Sequence, residues 1–240
     1  MTACRLGVLA FGDSITNGGG ELQWGVALQS WALWTARGLG LPYTPHARDG
    51  ATIEDVLATQ IPQSRPDARY DLGCLYIGAN DVRLPTWDRH AFENHHRTAL
   101  AFLAERCDRV LTATIPLDLG RPRAGARVEQ ANAAITASAA ASQAHVLDLS
   151  DFRARNLMMA DHVHPTAFGQ IAIAERALDL LARHGLPPRT RPSSLVSYET
   201  SRKGRLRGDL TYAYRHAKVS ARAAALSAVA SARRRRRRAA

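Results

Sequence analysis

Short apolar runs and helix-length segments take turns along the chain, and three of those runs end in a polar cluster. The runs are Arg5–Phe11, Tyr43–Arg48, Asp71–Ile77, Arg109–Ile115 and Val146–Leu149. Between them, helical periodicity predicts a helix over Trp24–Leu39, with Gly38 and Gly40 as stop signals, and another that Thr52 caps and that runs to Ile61 before Pro62. Further helices are expected over His90–Cys107, Arg127–Ser142 and Thr166–His184, the last ended by Gly185 and Pro187-Pro188. Asp71–Ile77 is continuous enough in apolar residues to be a strand buried on both faces. Strands alternating with helices of this length imply an α/β domain with a parallel sheet covered on both sides. In such sheets ligands bind beyond the carboxyl ends of the strands. Asp13-Ser14, Asp49-Gly50 and Asn80-Asp81 each follow an expected strand, so they should meet at one edge.

Ser14 sits where an apolar strand gives way to the loop of Gly18-Gly-Gly20. Taken alone, a serine there is a turn or capping residue. As a nucleophile it would need a base, itself oriented by a carboxylate. Asp161-His-Val-His164 supplies both from one loop: three-residue spacing lets the carboxylate fold back to His164 Nδ1 while Nε2 faces Ser14. Pro165 keeps His164 out of a helical conformation, and Thr166 can cap the helix that follows. A tetrahedral transition state also needs donors for its oxyanion. The backbone N–H groups of Ser14 and Gly50 and the side-chain amide of Asn80 can supply three, with glycine at position 50 expected because a β-carbon would crowd the acyl carbon.

Gly12-Asp-Ser-Ile-Thr-Asn-Gly18, the glycine after the second strand, Gly78-Ala-Asn-Asp81 and Asp161-His-Val-His164-Pro165 resemble the ordered blocks of the SGNH (GDSL) hydrolases, over roughly residues 5 to 184. The resemblance implies a three-layer α/β/α flavodoxin-like fold with about five parallel strands. It also implies esterase, lipase, thioesterase or sugar-deacetylase activity without a metal or cofactor. Carried over by position, it makes Ser14 the nucleophile and an oxyanion donor, Gly50 and Asn80 the other donors, His164 the base and Asp161 its orienting carboxylate. The second block departs from the family pattern, since Arg48-Asp49 precede Gly50 where the family has an asparagine. The expected substrate is a small-molecule carboxylic ester, cleaved through an acyl-enzyme. Acyl transfer to a sugar or metabolite hydroxyl would use the same residues.

Asp13 and Asp81 flank this constellation and are expected to bond loop backbone rather than to replace Asp161. Asp161-His162-x-His164 lacks further ligands at a partnered spacing, so a zinc site is not expected. His90, His95 and His96 do not give the i, i+4 pair that metals use and read as solvated helix positions. Trp24, Trp31 and Trp34 read as one packed face, with Trp24 also able to line an acyl pocket. Glu21, Gln23, Arg83 and Trp87 follow the first and third blocks and are further pocket candidates.

The formal net charge of +11 is unevenly placed. Residues 1–188 hold 17 Arg, no Lys and 19 Asp+Glu, a net of −2, whereas residues 189–240 hold 15 basic and 2 acidic residues, a net of +13. The division expected is therefore a hydrolase domain over 1–188 and a basic, partly helical or disordered linker and tail over 189–240. Asp209–Ala232 is alanine-rich enough to be helical, with Tyr212, Val219 and Leu226 along one side and Arg215, Lys218 and Arg222 on its flank. Arg233–Arg238 ends the tail in six arginines. A solvated tail is the plain reading; an anionic membrane surface or nucleic-acid phosphates are the alternatives, though the run lacks the interleaved aromatics that stack on bases. Cys4, Cys74 and Cys107 read as core fillers in a reducing compartment. No transmembrane run or signal-peptide core is expected, which points to the cytoplasm.

Overall fold

The structure, a computed structural model, describes residues 5–198 and 201–239, without the side chains of 223 and 226–239. Five strands form one sheet: β1 (Val8–Gly12), β2 (Tyr43–Pro45), β3 (Tyr70–Tyr76), β4 (Cys107–Ala113) and β5 (His145–Leu147). Their order is β2-β1-β3-β4-β5, and every pairing is parallel. Val8 registers with Tyr43 on one side and Leu72 on the other, so β1 is central and all five of its residues are buried. Its continuous apolar sequence follows, because a strand covered on both faces has no solvent side to make polar.

The helices are α1 (Ser14–Asn17), α2 (Trp31–Leu39), α3 (Ile53–Asp55), α4 (Arg89–Arg106), α5 (Ala126–Ala141), α6 (Ala167–Arg183) and α7 (Arg202–Ala239). α2 packs with α6 in one layer and α4 with α5 in the other. The core between them includes Phe11, Trp31, Tyr76, Leu100 and Leu178. The chain leaves β1 toward β2, then crosses to β3 on the opposite side. The strand order therefore reverses between β1 and β3, where α/β sheets of this type open a crevice.

Several boundaries have local causes. Thr52 caps α3 in a capping box with Asp55, and the helix continues as a π turn over Val56–Gln60 and a 3-10 turn over Ile61–Gln63. The helix expected from Trp24 starts only at Trp31. Trp24 and Gly25 have φ of +50° and +84°, which no right-handed helix admits, and Ser30 caps the new start by accepting from Ala32 N–H. Trp31 and Trp34 are buried on α2, while Trp24 packs from its loop against Phe168.

His96 is another correction: it is buried at 0% exposure, within hydrogen-bond distance of Thr112 Oγ1 at 3.3 Å. It lies on the inner face of α4 with Phe92, Ala99, Leu100 and Leu103, and burial pushes its imidazole down to about 3. His90 is exposed and His95 half-buried. Cys74 and Cys107 are buried free thiols; Cys4 lies outside the described residues.

Residues after 188, expected to begin a linker, are held to the domain. Arg189 and Thr190 N–H groups donate to Gly38 O, Arg191 pairs with Glu175 and Asp179, and Pro192 is buried. Close packing therefore continues past the division expected at 188. Among the described residues, no helix is long and apolar enough to cross a membrane.

Candidate active site

The three polar clusters stand at the carboxyl ends of β1, β2 and β3, as the strand pattern requires. Asp13 caps α1, its Oδ1 accepting from Ile15 N–H at 2.9 Å, so that Ser14 becomes the first residue of a short helix. A helix's first N–H groups have no carbonyl partner within the helix, which leaves the Ser14 N–H directed outward. Ser14 Oγ lies 2.9 Å from His164 Nε2, and His164 Nδ1 lies 2.7 Å from Asp161 Oδ2. With Nδ1–H donating to the carboxylate, Nε2 is left to accept from the serine hydroxyl.

The loop carrying Asp161 and His164 is fixed from within. Asp161 Oδ1 accepts from the N–H groups of Val163 and His164 at 2.9 and 3.1 Å. His162, between them, adopts φ +56°, the left-handed turn that brings the carboxylate back to the imidazole. Its ring is engaged elsewhere: Nδ1 lies 2.9 Å from Asp118 Oδ2, and Arg121 Nη2 lies 2.8 Å from the same nitrogen. Met159 N–H donates to His164 O, and Thr166 caps α6 through Gly169 N–H.

Electrostatics set the two members of the pair apart. The hydrogen bond that His164 donates to Asp161 raises its imidazole above the ordinary value, against the opposing effect of burial. Burial alone would raise Asp161, but its bonds to the His164 side chain and to two N–H groups outweigh it and hold the carboxyl below the usual range. The ion pair is thus stabilised in its charged form.

Gly50 follows β2 in an exposed turn with φ +76°. A β-carbon at Gly50 would meet no protein atom within 4 Å, and the left-handed backbone there is one that glycine adopts without strain. Asn17 Nδ2 donates to Asp49 Oδ1 at 2.9 Å, tying this turn to the end of α1. Asn80 Nδ2 donates to Ala51 O at 3.0 Å, which links the β3 loop to the same turn and leaves the amide a second hydrogen to donate.

Asp13 and Asp81 hold loop backbone, as expected from their placement. Asp81 Oδ1 accepts from Ile53 N–H at 2.9 Å. Each has a second carboxylate oxygen buried without a partner. Burial accordingly pushes Asp13 up to about 7 and Asp81 up to about 6. Of the other candidates, Arg83 is exposed, and its charge opposes protonation of His164. Trp87 donates to Gln130, and Glu21 pairs with Arg215 while its carbonyl accepts from Ala167 N–H. Gln23 is half-buried, its backbone carbonyl accepting from Val26 N–H.

Two buried glutamines complete the site's frame, and sequence reasoning passed over both. Gln60 receives the Gly12 N–H on Oε1 and donates to Gly12 O from Nε2. Gln170 donates to Ile15 O and Gly19 O and accepts from Trp31 N–H. Together they fix the peptide before Ser14 and the loop after it. The available signal was a polar side chain within an apolar helical stripe, Val56 with Gln60 and Ala167 with Gln170 and Ala174.

Among solved structures, the fold is similar to LAE5, an α/β hydrolase from the metagenome of Lake Arreo in Spain, at 19% identity and TM-score 0.61, covering 75% of this chain and 96% of that one. It is similar to Axe2, an acetylxylan esterase from Geobacillus stearothermophilus, at 20% identity and TM-score 0.57, covering 74% and 96%. It is also similar to a member of the lipolytic G-D-S-L family from Veillonella parvula, at 20% identity and TM-score 0.57, covering 73% and 98%. No curated protein matches the chain. The family model for GDSL-like lipases and acylhydrolases matches residues 10–171, a span that runs from β1 through the Asp161–His164 loop into α6. The chain therefore belongs to the GDSL-like lipase/acylhydrolase family and is an SGNH-type esterase.

Proposed function

We propose that the enzyme cleaves carboxylic esters through an acyl-enzyme formed on Ser14. The observation that supports this reading most is the unbroken line from Ser14 Oγ through His164 to Asp161, at 2.9 and 2.7 Å. Ser14 Oγ attacks the ester carbonyl as its proton passes to His164 Nε2, while Asp161 stabilises the resulting imidazolium. The oxyanion is met by the N–H groups of Ser14 and Gly50 and by the remaining amide hydrogen of Asn80. Collapse of the intermediate breaks the bond to the alcohol, which leaves with the proton held on His164. Water, deprotonated by His164, then attacks the acyl-enzyme and returns Ser14.

The substrate class is a short-chain ester of a small molecule, acetyl esters first. The Geobacillus relative is an acetylxylan esterase, and similarity to it supports this choice. A cytoplasmic setting suits Cys74 and Cys107, both unpaired thiols. The hydrolase unit comprises residues 1–188 together with the segment packed on it through Pro192, and the basic charge beyond it serves placement rather than chemistry.

Turnover of a series of nitrophenyl esters, from acetyl to long-chain acyl, tests the reading. Acetyl and butyryl esters should be cleaved fastest, with Ser14→Ala slower by roughly 10³-fold or more. Undiminished turnover by Ser14→Ala would exclude the serine, preference for long chains would exclude the substrate class, and acyl product on an added alcohol would indicate transfer.

A further inference from the structure

α7 has two faces of opposite character. Its inner face holds to the catalytic domain: Gly208 lies against the Trp24 indole, and Asp209 pairs with Arg155 at 2.8 Å. The Arg155 guanidinium also stands over the Tyr212 ring, on which His216 stacks, and His216 in turn meets His162 edge-on, two residues before His164. Arg215 pairs with Glu21. Gly204, Gly208, Tyr212 and His216 recur every four residues and are half-covered, as is Asp209 beside them. Tyr212, expected on a free apolar stripe, is thus turned inward. The side chains of Leu226 and of Arg233–Arg238 are outside those described.

Two residues along a helix turn the side chain by about 200°. Leu206, Leu210 and Tyr214 therefore fall opposite the inner face, and they are 60%, 63% and 69% exposed. Ala213 and Ala217 extend this outer stripe, and Arg202, Lys203, Arg207 and Lys218 border it, all exposed. An apolar stripe of leucine and tyrosine bordered by cations, on a helix of low mean hydropathy, is the pattern of a helix lying in a lipid interface.

We propose that the outer face of α7 docks on an anionic membrane surface, with Leu206, Leu210 and Tyr214 entering the headgroup region and the flanking cations meeting acidic lipids. Charge favours this occupant, since residues 189–240 carry a net of +13. Nucleic acid would use the same cations but has no use for a leucine stripe pointing outward. Because the inner face abuts the loop of His162 and His164, docking would hold that side of the domain at a fixed height above the lipid. The proposal does not rest on the identity of the nucleophile.

Co-sedimentation of the full chain with vesicles tests it, using phosphatidylcholine alone and phosphatidylcholine mixed equally with phosphatidylglycerol. Wild type should sediment with the mixed vesicles only, and less as salt rises. The combined variant Leu206→Ser, Leu210→Ser, Tyr214→Ser should bind the mixed vesicles at least about tenfold more weakly. Its turnover of a water-soluble ester should not change, which controls for folding. Leu210→Trp should bind at least as tightly as wild type. Absence of binding to mixed vesicles at low salt would overturn the proposal. So would equal binding by wild type and the triple serine variant, or duplex DNA binding that the triple variant retains while vesicle binding is absent.

Discussion

Gln60 grips the Gly12 peptide from both sides, with Oε1 2.9 Å from Gly12 N and Nε2 2.8 Å from Gly12 O. Gly12 ends the central strand two residues before Ser14, so this amide sets where the chain leaves the sheet. Gly12 itself has φ +152°, and a β-carbon there would come within 2.4 Å of Tyr76 O, so no larger residue can relieve the clamp.

Gln60→Leu keeps the side-chain size but leaves the Gly12 N–H facing a group that cannot accept. An unsatisfied buried donor costs about 1 to 3 kcal/mol. Urea denaturation should show a loss in that range, together with lower turnover as Ser14 loses its support. A loss within measurement error would mean that the clamp does not restrain the strand end.

Asp161→Asn separates orientation from proton transfer. Asparagine can still accept the Val163 and His164 N–H groups through its carbonyl oxygen. Its NH2 group, however, faces His164 Nδ1 and selects the tautomer with hydrogen on Nε2, which can no longer accept from Ser14. Turnover should fall by about 10² to 10⁴-fold with the fold intact by circular dichroism. Near-normal turnover would assign the orienting role to another carboxylate.

The acid side of the pH–rate profile should fall above the ordinary imidazole value, because Asp161 raises His164 and the base must be neutral to work. Asp13 contributes to that elevation, so Asp13→Asn should move the acid limb to lower pH. The same variant has a stability signature. Asp13 is raised in the folded state from 3.8 to about 7, so the stability it contributes is complete below 3.8 and is lost as pH rises toward 7. Asp13→Asn should remove a decline of roughly 3 to 4 kcal/mol between pH 4 and 8, read from denaturation midpoints. An unaltered stability profile would show that the buried carboxyl titrates normally.

Much of this arrangement is legible in the sequence alone. Apolar runs ending in Asp13-Ser14, Asp49-Gly50 and Asn80-Asp81 placed three clusters on one sheet edge because parallel strands share a direction. Asp161 and His164 were legible because a three-residue turn is local. What escaped depended on contacts distant in sequence. Gln60 meets Gly12 across 48 residues and Gln170 meets Ile15 across 155, and nothing near either glutamine announces its partner. His96 was misplaced because its spacing to other histidines was weighed, while Phe92, Leu100 and Leu103, at four and seven residues, fix the buried face. Trp24 left the helix through a left-handed φ that a tryptophan does not signal, although Gly25 beside it does. Gly50 has a second reason that its sequence neighbours do not show, since its turn takes a left-handed φ of +76°.

Labelling with a fluorophosphonate, followed by mass spectrometry of the intact chain and its peptides, measures the central claim directly. The account predicts one adduct per chain, located on Ser14, absent from Ser14→Ala and slowed by protonation of His164 at low pH. An adduct on any other residue, or equal labelling of Ser14→Ala, would contradict it.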